Sequence, residues 1–176
     1  MTVSADFVLR PARADELGDV AAVILAAYDE YMPGESASEE RRASFAEYRE
    51  DMADVRERAE RGAVALVAER DGRIIGTVSY FPPGTDKSGE GWPDAFAGIR
   101  LLAVLPAERR HGLGRSLTEE CIRRAREAGA PAVGLHTTEL MWIARDMYER
   151  MGFVRVPEYD FSVPELLITA YRLDLS

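Results

Sequence analysis

Cysteine and long apolar runs are scarce in this sequence. One cysteine, Cys121, excludes an intrachain disulfide and leaves no thiolate set for a structural zinc site, so no metal is expected. No run of about 18 apolar residues is present, and the opening "MTVSADFVLR" is not a charged-then-apolar leader, so the expectation is a cytoplasmic protein without a membrane partner. Repeats and low-complexity segments are lacking too. Basic residues are in deficit, 22 against 31 acidic ones, and the net charge of −9 disfavours nucleic acid, whose phosphates need a broad basic face. What remains is 176 residues, 47% of them hydrophobic, enough for one domain over 1–176 with a substantial core.

Apolar periodicity sets the elements. "DFVLRP" reads as a strand, and residues 17, 20, 21, 24, 27, 28 and 31 fall on one face of a helix with Asp15 as its cap. A second helix is predicted from Ser38 to Arg61, closed by Gly62. "AVALVAERDGRIIGTVSYF" is a hairpin turned at Asp71-Gly72, and "PPGTDKSGEGWPDA" is a surface loop. "FAGIRLLAVL" is a buried strand, followed by a helix from Gly112 to Gly129, the strand "AVGLHTTE", the helix "LMWIARDMYERM" with Gly152 as its cap, and the strands "FVRV" and "LLITAYRLDL". The fold class is therefore α/β (α+β), a mixed central sheet of about seven strands flanked by about four helices in the order β-α-α-β-β-β-α-β-α-β-β. Residues 97 to 139 form a right-handed parallel crossover.

Against the acidic background, "ERRHGLGRSL" (108–117) is basic and empty of side chains at two positions. It sits at the strand-to-helix junction of the crossover, where open α/β sheets bind ligands. The free N–H groups and dipole of the following helix make that junction an anion site. The glycine spacing excludes a Walker loop, and Leu117 stands where a Rossmann fingerprint needs its third glycine.

Leu102, Val104, Pro106, Arg109, Gly112 and Gly114 form L-x-V-x-P followed by R-x-x-G-x-G. Further on, Ala144, Tyr148, Gly152 and Phe153 lie in a helix ending in Tyr, Gly and Phe. In both motifs and in the order of its elements the chain resembles the GNAT superfamily of acyl-CoA-dependent N-acyltransferases. The resemblance implies a GNAT-like fold and acetyl-CoA as acyl donor. The backbone from Arg110 through His111, Gly112 and Leu113 to Gly114 would hold the pyrophosphate, with charge from Arg109, Arg110 and Arg115 and a hydroxyl from Ser116. It also implies a strand splayed from its parallel neighbour, with the pantetheine arm bonded to Leu102, Ala103 and Val104 and a backbone N–H near Val104 polarising the thioester.

By the same resemblance Tyr148 is the general acid for the departing thiolate, a phenol of ordinary pKa about 10 facing a thiol of about 8 to 9. Gly98 and Arg100 occupy the strand sites where relatives often carry a carboxylate base, which leaves Glu90, Asp94, His136 and Glu139 as candidates. Met141 and Trp142 stand where some relatives place an asparagine that touches the cofactor. Cys121 reads as core filler. Acceptor choice would fall to residues 28–45 and 81–96, whose Tyr28, Tyr31, Glu35, Glu39, Glu40, Phe81, Asp86, Glu90, Trp92 and Asp94 suit a cationic amine. The expected function is transfer of an acetyl group to a primary amine in a ternary complex. The alternative is a non-catalytic acyl-CoA sensor or interaction module. Relatives are commonly paired, so a homodimer is a natural assembly.

Overall fold

The computed structural model describes residues 2–4, 6–87 and 89–176, the first three by backbone alone; Met1, Ala5 and Ser88, the last within the loop read between two strands, lie outside the described residues. The strands are β1 (Thr2–Ser4), β2 (Phe7–Pro11), β3 (Val64–Arg70), β4 (Arg73–Phe81), β5 (Ala97–Val104), β6 (Ala132–Thr138), β7 (Val154–Arg155), β8 (Phe161–Val163) and β9 (Leu166–Asp174). The helices are α1 (Leu17–Tyr28), α2 (Glu39–Ala53), α3 (Val55–Glu60), α4 (Leu113–Glu127) and α5 (Trp142–Arg150). Among the described residues no helix is long and apolar enough to cross a membrane.

One mixed sheet runs β1-β2-β3-β4-β5-β6-β9-β7, with β8 paired to β9, and β5–β6 is its parallel pair. Nine strands replace the expected seven because β1 makes a short hairpin with β2 and because β8 hides in "FSVPELL", where Pro164 breaks any apolar run. The predicted second helix is two. Asp54 leaves the helical region at ψ 64°, its carboxylate accepts from the Glu57 N–H at 2.9 Å, and the fully buried Arg58 donates to the carbonyls of Asp51 and Met52 at the end of α2. A cap for one helix and a cation on the last carbonyls of the other make the break.

Side-chain alternation divides the core. Val20, Val23, Ile24 and Ala27 of α1 pack with Phe45 and Met52 of α2 on one face of the sheet. Leu113, Leu117, Cys121 and Ala125 of α4 pack on the other with Leu66, Val78 and Tyr148. The hairpin at Asp71-Gly72 has φ of 51° and 76°, the turn its dipeptide predicts. Asp15 does not cap α1; Glu16 does the corresponding work, accepting from the Arg13 N–H at 2.8 Å and from Arg10 at 2.7 and 2.8 Å.

The Glu16 side chain is 9% exposed, and Arg10 foremost, with the Arg13 N–H, lowers its pKa from 4.5 to about 2 against the opposing effect of burial. A depressed carboxylate pKa adds stability above the unfolded-state value and loses it as pH falls through the folded one. Glu16→Gln should therefore cost about 2 kcal/mol at pH 7 by urea denaturation and flatten the loss of stability between about pH 5 and pH 2. An unchanged pH slope would contradict the role given to this carboxylate.

Candidate active site

Strands β5 and β6 pair only at Ala97, Gly98 and Ile99 against Val133, Gly134 and Leu135. Beyond Ile99 they part, so Ala103 and Val104 are paired to β4 on one side, and the stretch Leu102–Val104 has no strand on the other. The parting coincides with a bulge: the β4–β5 register shifts between Thr77 and Ser79, and Leu101 sits at φ 53°. A bulge inserts one residue and reverses the alternation after it. Accordingly Ala97 and Ile99 face the α4 core, whereas Leu101 and Ala103 face the α1 core. Nothing in "GIRLLAV" signals this, because leucine lacks the conformational freedom that a glycine would have advertised.

At the far end of the gap lies the basic loop. Gly112 caps α4 at φ 78° with no side chain bonded to the helix end, and the first backbone bond of the helix runs from the Ser116 N–H to the Gly112 carbonyl at 2.9 Å. The N–H groups of Leu113, Gly114 and Arg115 thus have no intrahelical acceptor. An added Cβ on Gly114 would make only ordinary contacts, 3.6 Å from Leu102 and 3.8 Å from Met147, and one on Gly112 would meet nothing within 4 Å. Helix–strand packing therefore does not demand glycine at 114. A backbone left bare at the mouth of free N–H groups fits the pyrophosphate of coenzyme A.

The loop's side chains divide in their partners. Arg110 and His111 are exposed, the His111 Nδ1 donating to the Glu108 carbonyl at 3.3 Å. Arg115 pairs with Glu119 at 2.8 Å. Arg109 instead donates to the Val104 carbonyl at 3.4 Å and the Ala27 carbonyl at 3.2 Å and pairs with Glu30 at 2.6 Å, tying the end of α1 to β5. Ser116 is half-buried in the first turn of α4.

Tyr148 lies in the last turn of α5, its ring 5.6 Å from Phe153 and only 5% exposed. Burial, aided by the Cys121 thiol and Tyr31, raises its pKa well above that of a free phenol, so the hydroxyl stays protonated. Cys121 is wholly buried and its thiol is pushed far up by the same cause, which removes it as a nucleophile.

Next to the gap, on the α1–α2 side, is a cavity of about 360 Å³. Its walls bring together Tyr28 and Tyr31 after α1, Arg41, Phe45 and Tyr48 of α2, and Arg100 and Leu101 of β5. Glu90, His136 and Phe161 complete it, from the 82–96 loop, β6 and β8. Glu90 and His136, far apart in sequence, meet here: Glu90 accepts from Arg100 Nε at 2.9 Å through Oε1, and its Oε2 stands 3.4 Å from His136 Nδ1. His136 Nε2 donates to the Tyr159 carbonyl at 2.8 Å. Among the described residues neither Glu90 Oε2 nor His136 Nδ1 has a hydrogen-bond partner. Arg100 Nη2 reaches Asp51 at 3.2 Å, and although burial opposes its charge, Glu90, Tyr48 and Asp51 hold its pKa above the ordinary value.

The loop that carries Glu90 is fastened rather than free. Trp92 lies over Gly134, where an added Cβ would come within 2.5 Å of the indole, and packs against Tyr159 at 4.6 Å. Lys87 is buried as well, donating to the Thr85 carbonyl at 3.1 Å. Of the groups expected to select a cationic acceptor, Tyr28, Tyr31 and Glu90 line the cavity, whereas Glu35, Glu39, Glu40, Asp86 and Asp94 are exposed and do not line it. Arg41 and Arg100, which the sequence reading gave no part in the acceptor site, do. No group of three or more potential metal ligands occurs among the described residues.

Comparison with known proteins agrees with this geometry. The chain is 33% identical over 107 residues to a probable N-acetyltransferase camello of Xenopus tropicalis, covering 60% of this chain and 46% of that protein. It is 36% identical over 90 residues to a mycothiol acetyltransferase of Thermomonospora curvata, covering 51% of this chain and 27% of that one. These matches span about half or less of the relatives' own length. In fold it is similar to a GNAT-family acetyltransferase of Staphylococcus aureus, with a TM-score of 0.70, 14% identity and 97% and 99% of the two chains covered. A putative acetyltransferase of Salmonella typhimurium solved with its cofactor acetyl-CoA gives 0.64, 18%, 97% and 95%. The family model for GNAT acetyltransferases matches residues 24–153, a span that holds the parted strands, the glycine loop and α5 with its tyrosine, and the chain belongs to that family.

Proposed function

We propose that this protein transfers the acetyl group of acetyl-CoA to a primary amine by direct attack in a ternary complex. The observation that carries the reading is the gap between β5 and β6, which runs from the bare N–H groups of Leu113 and Gly114 to a cavity holding a carboxylate. A solved structural neighbour containing acetyl-CoA supports the choice of donor.

In this reading the backbone from Arg110 to Gly114 and the side chains of Arg110, His111 and Arg115 take the pyrophosphate, while Arg109, already met by Glu30, holds α1 against β5. The unpaired edge at Leu102, Ala103 and Val104 takes the pantetheine arm, and a backbone N–H near Val104 stabilises the oxyanion. The amine nitrogen forms a bond to the acetyl carbon, the carbon–sulfur bond breaks, and the amine's proton passes to Glu90, backed by His136 on its other side. Tyr148 donates to the leaving thiolate, and the products are the N-acetyl amine and free coenzyme A.

Thiol release from acetyl-CoA across a panel of amines tests the reading directly; cofactor binding with no amine-dependent release would mark a binding module instead. Tyr148→Phe should lower kcat by about a hundredfold. The acetyl-CoA dissociation constant, measured by calorimetry, should change by less than about twofold, because the hydroxyl acts only on the departing sulfur. Gly114→Ala should raise that constant by about tenfold through the methyl group placed in the cradle. Its melting temperature should stay near that of the parent, since the added Cβ makes only ordinary contacts.

A further inference from the structure

The cavity wall holds an arginine that no carboxylate pairs among the described residues. Arg41 is 9% exposed, lines the cavity, and makes no ion pair or side-chain hydrogen bond among the described residues; its guanidinium lies 6.0 Å from the centre of the Phe45 ring. A buried guanidinium without an acid is unfavourable unless something else meets its charge. Arg100 differs, being met by two acids: Nε is bonded to Glu90 and Nη2 to Asp51, while Nη1 is closed off from the cavity. Glu90 is the carboxylate in the lining, and it is already shared between Arg100 and His136. With Asp51 beside Arg100 the two arginines and two carboxylates balance, so what marks the cavity is the placing of one unpaired guanidinium, Arg41, in its wall.

The rest of the lining is apolar, with Phe45, Leu140, Met141, Phe161 and Ile168 among it. Burial raises the pKa of Tyr28 and Tyr31, so their phenols remain neutral.

We infer that the acceptor is an α-amino acid with an apolar side chain, its carboxylate held by Arg41 and its amine presented to Glu90. This rests on the acetyl-transfer reading and narrows its substrate. An α-amino acid carries a cationic and an anionic group on neighbouring atoms, and the carboxylate of Glu90 and the unpaired guanidinium of Arg41 line the same cavity. Planar guanidinium groups suit a carboxylate because two N–H donors can meet two oxygens at once. The apolar wall then takes the side chain, and a volume of about 360 Å³ is within the range of small-molecule sites. A simple cationic amine would leave Arg41 unmet.

The experiment compares three acceptors of one apolar shape, L-phenylalanine, L-phenylalanine amide and 2-phenylethylamine, with L-methionine and L-leucine and their amides beside them. Steady-state thiol release is measured on the whole chain. The free acids should exceed their amides and the simple amine in kcat/KM by about tenfold or more. Arg41→Gln should lower kcat/KM for the acids by about tenfold more than for the amides, with the loss in KM and with partial recovery in Arg41→Lys. Equal or better turnover of the amides and the simple amine by the unaltered protein overturns the inference, whatever the variants do. If no acceptor releases thiol, the acetyl-transfer reading fails separately. Calorimetry with coenzyme A bound then decides: tighter binding of the acids than of their amides upholds the carboxylate site, and equal or undetectable binding of both refutes it.

Discussion

Two parallel strands that pair for three residues and then part govern the rest of this molecule. Were β5 and β6 bonded along their whole length, Leu102 to Val104 would have their hydrogen bonds filled and no extended ligand could lie beside them. The bulge at Leu101 belongs to the same constraint. A leucine at φ 53° costs about 1 kcal/mol or more, and the surrounding packing must overcome that. In return Arg100 and Leu101, consecutive in sequence, both line the cavity on the α1–α2 side.

The cavity depends on parts that are distant in the chain but rigidly joined. Trp92 occupies the space that the missing Cβ of Gly134 leaves, and this fixes Glu90 two residues away. Tyr159 packs on the same indole, and its carbonyl takes the His136 proton. The carboxylate and the imidazole are thus oriented by one aromatic cluster, built from a loop, a strand glycine and the turn before β8. Arg109 does comparable work at the other end, where it joins the carbonyls of Val104 and Ala27.

Local chemistry made part of this legible from sequence. The turn at Asp71-Gly72, the stripe of α4 and the glycine loop each depend on residues close together in the chain, and each is found where it was read. Where two local preferences compete the reading failed: the apolar stripe through Phe45, Met52 and Val55 continues across Asp54, but a capping carboxylate and the buried Arg58 break the helix. The lining of the cavity was harder still. Acidic residues in its two contributing segments outnumber the basic ones, yet five of those acids face outward while Arg41 and Arg100 are turned in. Which charges face a cavity is decided by how α2 sits on β5, and no spacing within either element records it.

The short parallel seam has a mechanical side as well. β3–β4 and β6–β9 each hold seven residue pairs in register, against three for β5–β6, so the sheet amounts to two stiff plates joined along a brief edge. The first plate is residues 2–104 and the second 132–174, each continuous in the chain, with α4 bridging them. Of the seams between β2 and β9 in the strand order, β5–β6 holds the fewest residue pairs, and local opening is easiest there. A long, thin ligand bonded into the gap acts there as a splint, so the loaded and empty protein differ in stiffness before they differ in shape.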